Sequence, residues 1–417
     1  MLLPSNGVMY ATLVTMGGNM PTLHLFKNLK LVDSDFKGHQ SKIAIVVVDG
    51  KIAWIGPQNK VPKNFKFKKI TDLQNQLVLP SFVECHTHTL FAGSRAEEFE
   101  LRNNGVSYLD IAAKGGGILS TMKATRKASS AELQNITQKR VNNFLKQGVS
   151  TLEIKSGYGL DLKSEIKSLQ VINKLKGPRI ISTFLGAHAR PPEFSDNAEY
   201  LKHLVENFLP EIKKKKLSRR VDIFIENKFF EKEESFYYLQ KARELGFEIT
   251  IHANQLSLSA GADLALDFKA ASADHVIKLD ERLIAKFAKS QTVAVLLPLA
   301  DLYMKCAYPP ARKLIDAGAS VALSTDFNPG SCPSQDLATV GLLARLEMKM
   351  TLPEVFKAYT AGAAKALNLF HAEGSLEVGK YANFICTKAE LTDFFYSVGH
   401  TPEHQLFIRG IEVPAIK

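Results

Sequence analysis

Eight short apolar segments, most of them followed by a stretch of helical periodicity, limit what this chain can become. They are LVLPSFVE, STLEIKS, RIISTFLGA, VDIFIE, FEITIHA, AASADH, VAVLLP and SVALSTD. In the intervening DLKSEIKSLQVINKL, Leu162, Ile166, Leu169, Ile172 and Leu175 fall on one helical face. Strands alternating with helices form parallel βα units, and eight such units imply an α/β fold of the (β/α)8 barrel type. The barrel is expected over residues 77–370. β-like sequence lies on both sides of it. LHLFKNLKLV alternates, and KIAIVVVDGKIAWIG reads as a hairpin turning at Asp49-Gly50, a pair that tolerates the positive φ of a type I′ turn. GSLEVGKYANFICTK and HQLFIRGIEVPAI are β-like near the other end. Residues 1–76 and 371–417 are therefore predicted to pair into a small β-sandwich beside the barrel. No solenoid repeat or low-complexity segment interrupts this plan.

Barrels of this kind present chemistry at the C-terminal ends of their strands. Polar residues end several of the apolar segments here. The first runs into Glu84-Cys85-His86-Thr87-His88, where strand alternation would point both histidines to one face. The third ends at His188, the fifth at His252, the sixth at His275 and the eighth at Asp326. An HxH pair alone is a weak motif, and a lone histidine on a strand is ordinarily a satisfied core residue. Two imidazoles from strand one, one from strand five and a carboxylate from strand eight make a mixed nitrogen and oxygen set that suits zinc or iron. A catalytic ion keeps one position for water and brings its pKa to about 7. Asp326 could accept that water's proton, and His275 could polarise a substrate carbonyl. No strand offers a clear bridging ligand for a second ion. Lys155 would have to be carbamylated to serve, and the neighbouring Gly157-Tyr158-Gly159 reads better as a substrate loop.

Composition narrows the alternatives. Among 417 residues, 45% are hydrophobic and 23% charged, as in ordinary globular proteins. No apolar run reaches the roughly 18 residues of a membrane helix. The N-terminal MLLPSNGVMYATLVTMGG lacks a basic region and a long apolar stretch, so it does not read as a signal peptide, which favours the cytoplasm. Cys85, Cys306, Cys332 and Cys386 are widely spaced and are expected to be reduced thiols rather than a disulfide framework or zinc ligands. The net charge of +11 would fit a nucleic-acid binder. Its lysines are scattered, however, and the one run, Lys213 to Lys216, reads as a solvated helix end.

The motifs carry a narrower resemblance. HTHTLFAGSRAEEFELRNNGVSYLDIAAKGGGILSTMKATR, EIKSGYGLD, STFLGAHARPPE, HANQLS, SADH, AVLLP and STDFNPGSCPS resemble, in the same order, the imidazolonepropionase family of the amidohydrolase superfamily. HxH and STD belong to the wider superfamily, whereas FAGSR, KSGYGL, GAHA and DFNPGS together are much narrower. The resemblance implies hydrolysis of 4-imidazolone-5-propanoate to N-formimidoyl-L-glutamate, with attack by metal-activated hydroxide on the ring carbonyl. It implies His86, His88, His252 and Asp326 as ligands of one zinc or iron ion per subunit, and a homodimer. It implies Arg95 as the partner of the substrate's carboxylate tail, which a guanidinium fork suits. The bland reading of Arg95 is a surface ion pair with Glu97 or Glu98. The resemblance places Tyr158, His188, Gln255, Asn328, Gly330 and Ser331 around the substrate or product, the last three partly through backbone N–H groups. Asn-Pro-Gly-Ser is also a turn sequence. Gly115 to Gly117 is expected to be a loop, because no GK[ST] follows it.

The chain departs from the family pattern in places. Gln255 stands where part of the family has Glu. It is counted with Asp326 and His275 among the catalytic groups, but an amide cannot shuttle a proton, so the base role shifts to the other two. Pro80-Ser81, Glu84 and Glu226-Asn227-Lys228 also differ, and none of these removes a ligand. Cys85 is read as packing. The alternative enzyme reading is a cyclic imidase or an aromatic-base deaminase, which would share HxH and the strand-eight Asp. Arg95 distinguishes them, since a neutral base has no carboxylate tail. A non-catalytic binding protein would be expected to have lost a ligand. No nucleic-acid or membrane partner is expected.

Overall fold

The computed structural model describes residues 23–106, 111 and 115–415. The N-terminal stretch weighed above as a signal peptide lies outside them. Strands β1 (Leu23–Val32), β2 (His39–Val48), β3 (Lys51–Pro57) and β4 (Phe67–Pro80) precede the barrel. The barrel strands are β5 (Phe82–Glu84), β6 (Val149–Lys155), β7 (Arg179–Ala187), β8 (Arg220–Ile225), β9 (Glu248–Ala253), β10 (Ser272–His275), β11 (Val293–Leu296) and β12 (Val321–Leu323). Strands β13 (Phe384–Thr387), β14 (His404–Ile408) and β15 (Ile411–Glu412) follow it.

The flanking strands form one seven-stranded sheet in the order β15-β14-β13-β4-β1-β2-β3. The β2–β3 hairpin turns at Asp49 and Gly50, both with positive φ (50° and 78°), as its type I′ sequence requires. The sheet bends back on itself: Ile52 N–H donates to Lys380 O, and Gly379 N–H to Ile52 O, each at 2.8 Å. The expected small sandwich is thus a single folded-over sheet. Its enclosed face is packed by Phe26, which meets Phe384 and Phe407 edge-on at 5.1 and 5.4 Å. Val78, Ile45 and Val47 belong to the same core.

The barrel sheet runs in the order β12-β11-β10-β9-β8-β7-β6-β5, all neighbours parallel. The segment LVLPSFVE, read above as one strand, is shared between the two sheets. Leu77 to Pro80 pair with β13, Ser81 N–H donates to Asn383 O, and only Phe82 to Glu84 join β6. Pro80 has no N–H to continue a ladder, and the chain changes sheets there. The ring closes beyond β12, where Asp326 N–H donates to His86 O (3.2 Å) and His88 N–H to Phe327 O (2.9 Å). Glu84 fastens the same seam, accepting from the Ser324 hydroxyl and from Thr325 N–H.

Helices lie between the strands, and among the described residues they include α1 (Ala96–Asn103), α2 (Ile118–Lys127), α3 (Ser130–Lys146) and α4 (Leu162–Ile172). A Ser129–Glu132 capping box starts α3, and the Asp161 carboxylate caps α4 by accepting from Ser164 N–H. On α4, Leu169 and Ile172 are fully buried, as their spacing predicts. Lys213 to Lys216 are all exposed at the end of a helix, and the four cysteines are unbonded. No helix among the described residues is long and apolar enough to cross a membrane.

Candidate metal centre and substrate cleft

His86 and His88 follow β5, His252 sits in β9, His275 ends β10, and Asp326 lies three residues past β12. All five are buried. Two overlapping groups bring their ligand atoms within 4.8 Å of one another: His86, His88 and Asp326, and His86, His252 and His275. Asp326 Oδ1 is 3.4 Å from both His86 Nε2 and His88 Nε2, and His88 Nε2 is 3.3 Å from His252 Nε2. His275 and Asp326 adopt left-handed backbone conformations (φ 74° and 54°), a strain commonly held at functional sites.

The outward ring nitrogens explain why these atoms converge. His86 Nδ1 lies 2.6 Å from Asp274 Oδ2, and His252 Nδ1 lies 3.0 Å from Asp222 Oδ2. Each carboxylate draws the ring proton to Nδ1, which turns a bare Nε2 lone pair inward. His86 Nε2 and Asp326 Oδ1 have no hydrogen-bond partner among the described residues. An unpartnered imidazole nitrogen and an unpartnered carboxylate oxygen set 3.4 Å apart fit a cation between them. Spacings of 3.3–3.4 Å also match the edge of a tetrahedron with ligand bonds of about 2.05 Å.

Behind the histidines, Lys155 at the end of β6 is buried among three carboxylates. Its Nζ is 3.0 Å from Glu153 and from Asp222, and 3.8 Å from Asp274. Burial opposes its charge, but these partners outweigh that and hold its pKa above the usual lysine value. Burial, and then Lys155, keep His86 well below its ordinary pKa. Burial and His188 do the same for His88, and burial and His252 for His275. His252 differs: burial opposes protonation, yet Asp222 pushes its pKa up. Burial raises the Asp326 carboxyl to about 7.

A cleft of about 520 Å3 opens over this cluster. Its lining includes His88, Arg95, Tyr158, His188, His252, Gln255, His275, Asp326, Asn328 and Ser331, with Ile118, Phe224, Leu256 and Met304. His188 stacks on His88 (5.1 Å, 21°), and its Nδ1 lies 3.0 Å from Gly157 O. Burial lowers its pKa to about 3. Tyr158 is packed between His188 and Phe91 at centroid distances of 5.2 and 6.3 Å. Its loop is held by Glu165, whose carboxylate accepts from the N–H groups of Gly157, Gly159 and Leu160. Arg95 is buried in the cleft wall, and its Nε also donates to Glu98 (2.7 Å). The ion pair with Glu98 is present, but it lies in the cleft wall and not on the surface.

Every candidate residue except His86 and Gly330 lines the cleft, and His86 lies beneath it. The expectation for the Asn328–Ser331 turn needs correction. The N–H groups of Gly330 and Ser331 donate to Asn328 Oδ1 (2.9 and 2.7 Å), so they are spent inside the turn. The Asn328 amide is likewise engaged within the turn, donating to Asp326 O and Ser331 Oγ, and Gly330 makes room for Arg95. Glu226, one of the departures, accepts from Leu256 N–H and Ser257 N–H and so fixes the loop carrying Gln255. The sequence reading missed Asp222, Asp274 and Glu165 as supports. A carboxylate within an apolar strand, as in VDIFIE and SADH, was the available signal.

The amidohydrolase family model matches residues 77–413. The chain is 56% identical to the imidazolonepropionase of Bdellovibrio bacteriovorus over 373 residues, covering 89% of this chain and 88% of that protein. It is 42% identical to the imidazolonepropionase of Fusobacterium nucleatum, covering 86% and 88%. Among solved structures, an adenosine deaminase from Xanthomonas campestris with bound zinc superposes with a TM-score of 0.72, covering 93% and 92%, at 17% identity. A likeness at that identity concerns the fold alone.

Proposed function

This chain belongs to the amidohydrolase family, within it to the imidazolonepropionases, and we propose how its cleft performs their reaction. The reaction hydrolyses the cyclic amide of 4-imidazolone-5-propanoate to N-formimidoyl-L-glutamate in histidine degradation. The observation that carries the assignment of roles is the convergence of Arg95, the Nε2 atoms of His88 and His252, and Asp326 Oδ1 on one cleft. His86, His88, His252 and Asp326 are the residues that would hold one divalent ion, zinc or iron. When bound, that ion supplies Lewis-acid chemistry, acidifying a water and polarising the ring carbonyl.

The remaining work falls to side chains. Asp326 takes the proton of the attacking water and returns it to the ring nitrogen as the C–N bond breaks. His275, neutral and buried, donates a hydrogen bond to the carbonyl oxygen as charge develops there. Gln255 orients the ring amide by hydrogen bonding and moves no proton. Arg95 pairs with the propionate tail, Tyr158 and His188 wall the ring, Ser331 offers its hydroxyl to the substrate or product, and Asn328, whose amide is engaged within the turn, shapes the wall beside it. Arg95 favours this assignment over a deaminase of neutral bases. We further infer a cytoplasmic homodimer with a small-molecule substrate and with no nucleic-acid or membrane partner.

The test follows the loss of freshly prepared imidazolone propionate by absorbance, with metal content measured on the same sample. Turnover should track the metal stoichiometry and disappear on chelation. A metal-loaded protein that leaves the substrate intact would sink the proposal.

A further inference from the structure

We propose that Glu98 and Gly330 are positioning residues for Arg95, and so determine selectivity for a carboxylate-tailed ring. The inference rests on Arg95 pairing with the tail, as above. Arg95, at the N-terminal cap of α1, is followed by Glu98 and Arg102 at intervals of three and four, so all three share one helix face. Helix α1 itself buries no side chain. Polar ties therefore do much to seat it on the barrel.

Glu98 uses both oxygens in those ties. Oε2 accepts from Arg95 Nε at 2.7 Å, and Oε1 accepts from Gly117 N–H at 2.9 Å. The triple-glycine loop is thus attached, through one carboxylate, to the guanidinium. On another side, Gly330 lies against the guanidinium plane. A Cβ at Gly330 would stand 2.1 Å from Arg95 Nη1, 2.2 Å from Cζ and 2.7 Å from Nη2. Gly330 has no positive φ, so the requirement for glycine there is space. Its own backbone is fixed at both ends, by Asn328 Oδ1 at the N–H and by Arg102 Nη2 at the carbonyl (3.0 Å).

A guanidinium fork recognises a carboxylate through the direction of its N–H bonds. Glu98 fixes one edge of that fork and Gly330 fixes its plane. Glu98 also cancels much of the Arg95 charge. The tail is then selected by aimed donors more than by net attraction.

The experiment compares kcat/KM for 4-imidazolone-5-propanoate with that for the same ring bearing a methyl group instead of the propionate. Metal content is measured for each variant. Glu98→Ala and Gly330→Ala should each lower the tailed-to-tailless ratio about tenfold or more, the scale of one charge-assisted hydrogen bond, with metal retained. Glu98→Gln, which keeps one acceptor, should fall between wild type and Glu98→Ala. A ratio that is unchanged or higher in Glu98→Ala overturns the proposal, because relief of a like charge would then outweigh positioning. If Glu98→Ala does not fold, Glu98→Gln and Gly330→Ala decide, and unchanged ratios in both overturn it. Arg95→Ala separates the two levels. A ratio it leaves intact removes the role of Arg95 itself, whatever Glu98 does.

Discussion

Asp326 and His252 differ from His86 and His88 in what they must give up to hold a cation. Burial already keeps His86 and His88 neutral at pH 6, whereas Asp326 with a pKa of about 7 and His252 with a raised pKa are both largely protonated there. Groups raised in the metal-free state must release protons on binding, so affinity falls as pH drops through their pKa values. Calorimetric titration of zinc at pH 6, repeated in buffers of different ionisation enthalpy, should count about two protons released. A count near four would mean that all ligands are protonated and that burial does not control the histidines. His275 raises a different question, since it lies within ligand reach of His86 and His252. His275→Asn should retain the ion and lower kcat by about 10^2 to 10^3, as for loss of a donor to a developing oxyanion. Loss of the ion in that variant would make His275 a ligand instead. Arg95→Ala should raise KM for the tailed substrate at least about tenfold, which steady-state kinetics would read directly.

Loops and strand ends bear the next level of organisation, and here legibility from sequence divides sharply. His252 and His275 were readable because each is a polar residue at or near the end of an apolar run, and a barrel turns such ends toward one mouth. Asp222 and Asp274 were not. Asp274 belongs with His86, 188 residues away, and Asp222 with His252 on the neighbouring strand, so their purpose depends on barrel closure and strand register. The Asn328–Ser331 turn was legible as a turn, but which N–H groups it consumes internally was not. The Gly157–Leu160 loop makes the same point for stability. Gly157 has φ 105°, and a Cβ there would lie 2.6 Å from Leu185 O. Its N–H is held by Glu165 and its carbonyl faces His188. Gly157→Ala should therefore cost about 2 kcal/mol or more, seen as a lower denaturant midpoint, and should disturb Tyr158 and His188 together. A variant with unchanged midpoint and kinetics would show that the loop tolerates a side chain.

At the scale of the whole molecule, the two sheets are bound into one structure by a chain that crosses between them twice. Residues 77–80 pair with β13, and the very next strand is β5, which leads directly into His86 and His88. On the return, Glu373 accepts from Arg179 (2.8 Å) and from the Thr151 hydroxyl, tying the segment before β13 to the start of β7 and to β6. Removing residues 379–417 would delete β13 to β15, strip the ladder from one side of β4, and expose Phe26 and Val78. An uncovered apolar strand edge is a template for association. Loosening β4 would also remove the support for β5, and with it the placement of the proposed ligands His86 and His88, two and four residues beyond its end. The truncated chain should aggregate on expression, or elute as soluble aggregate with little bound metal, in size-exclusion chromatography coupled to metal analysis. A soluble, monodisperse truncation that binds one ion would show instead that the barrel positions its first strand without the flanking sheet.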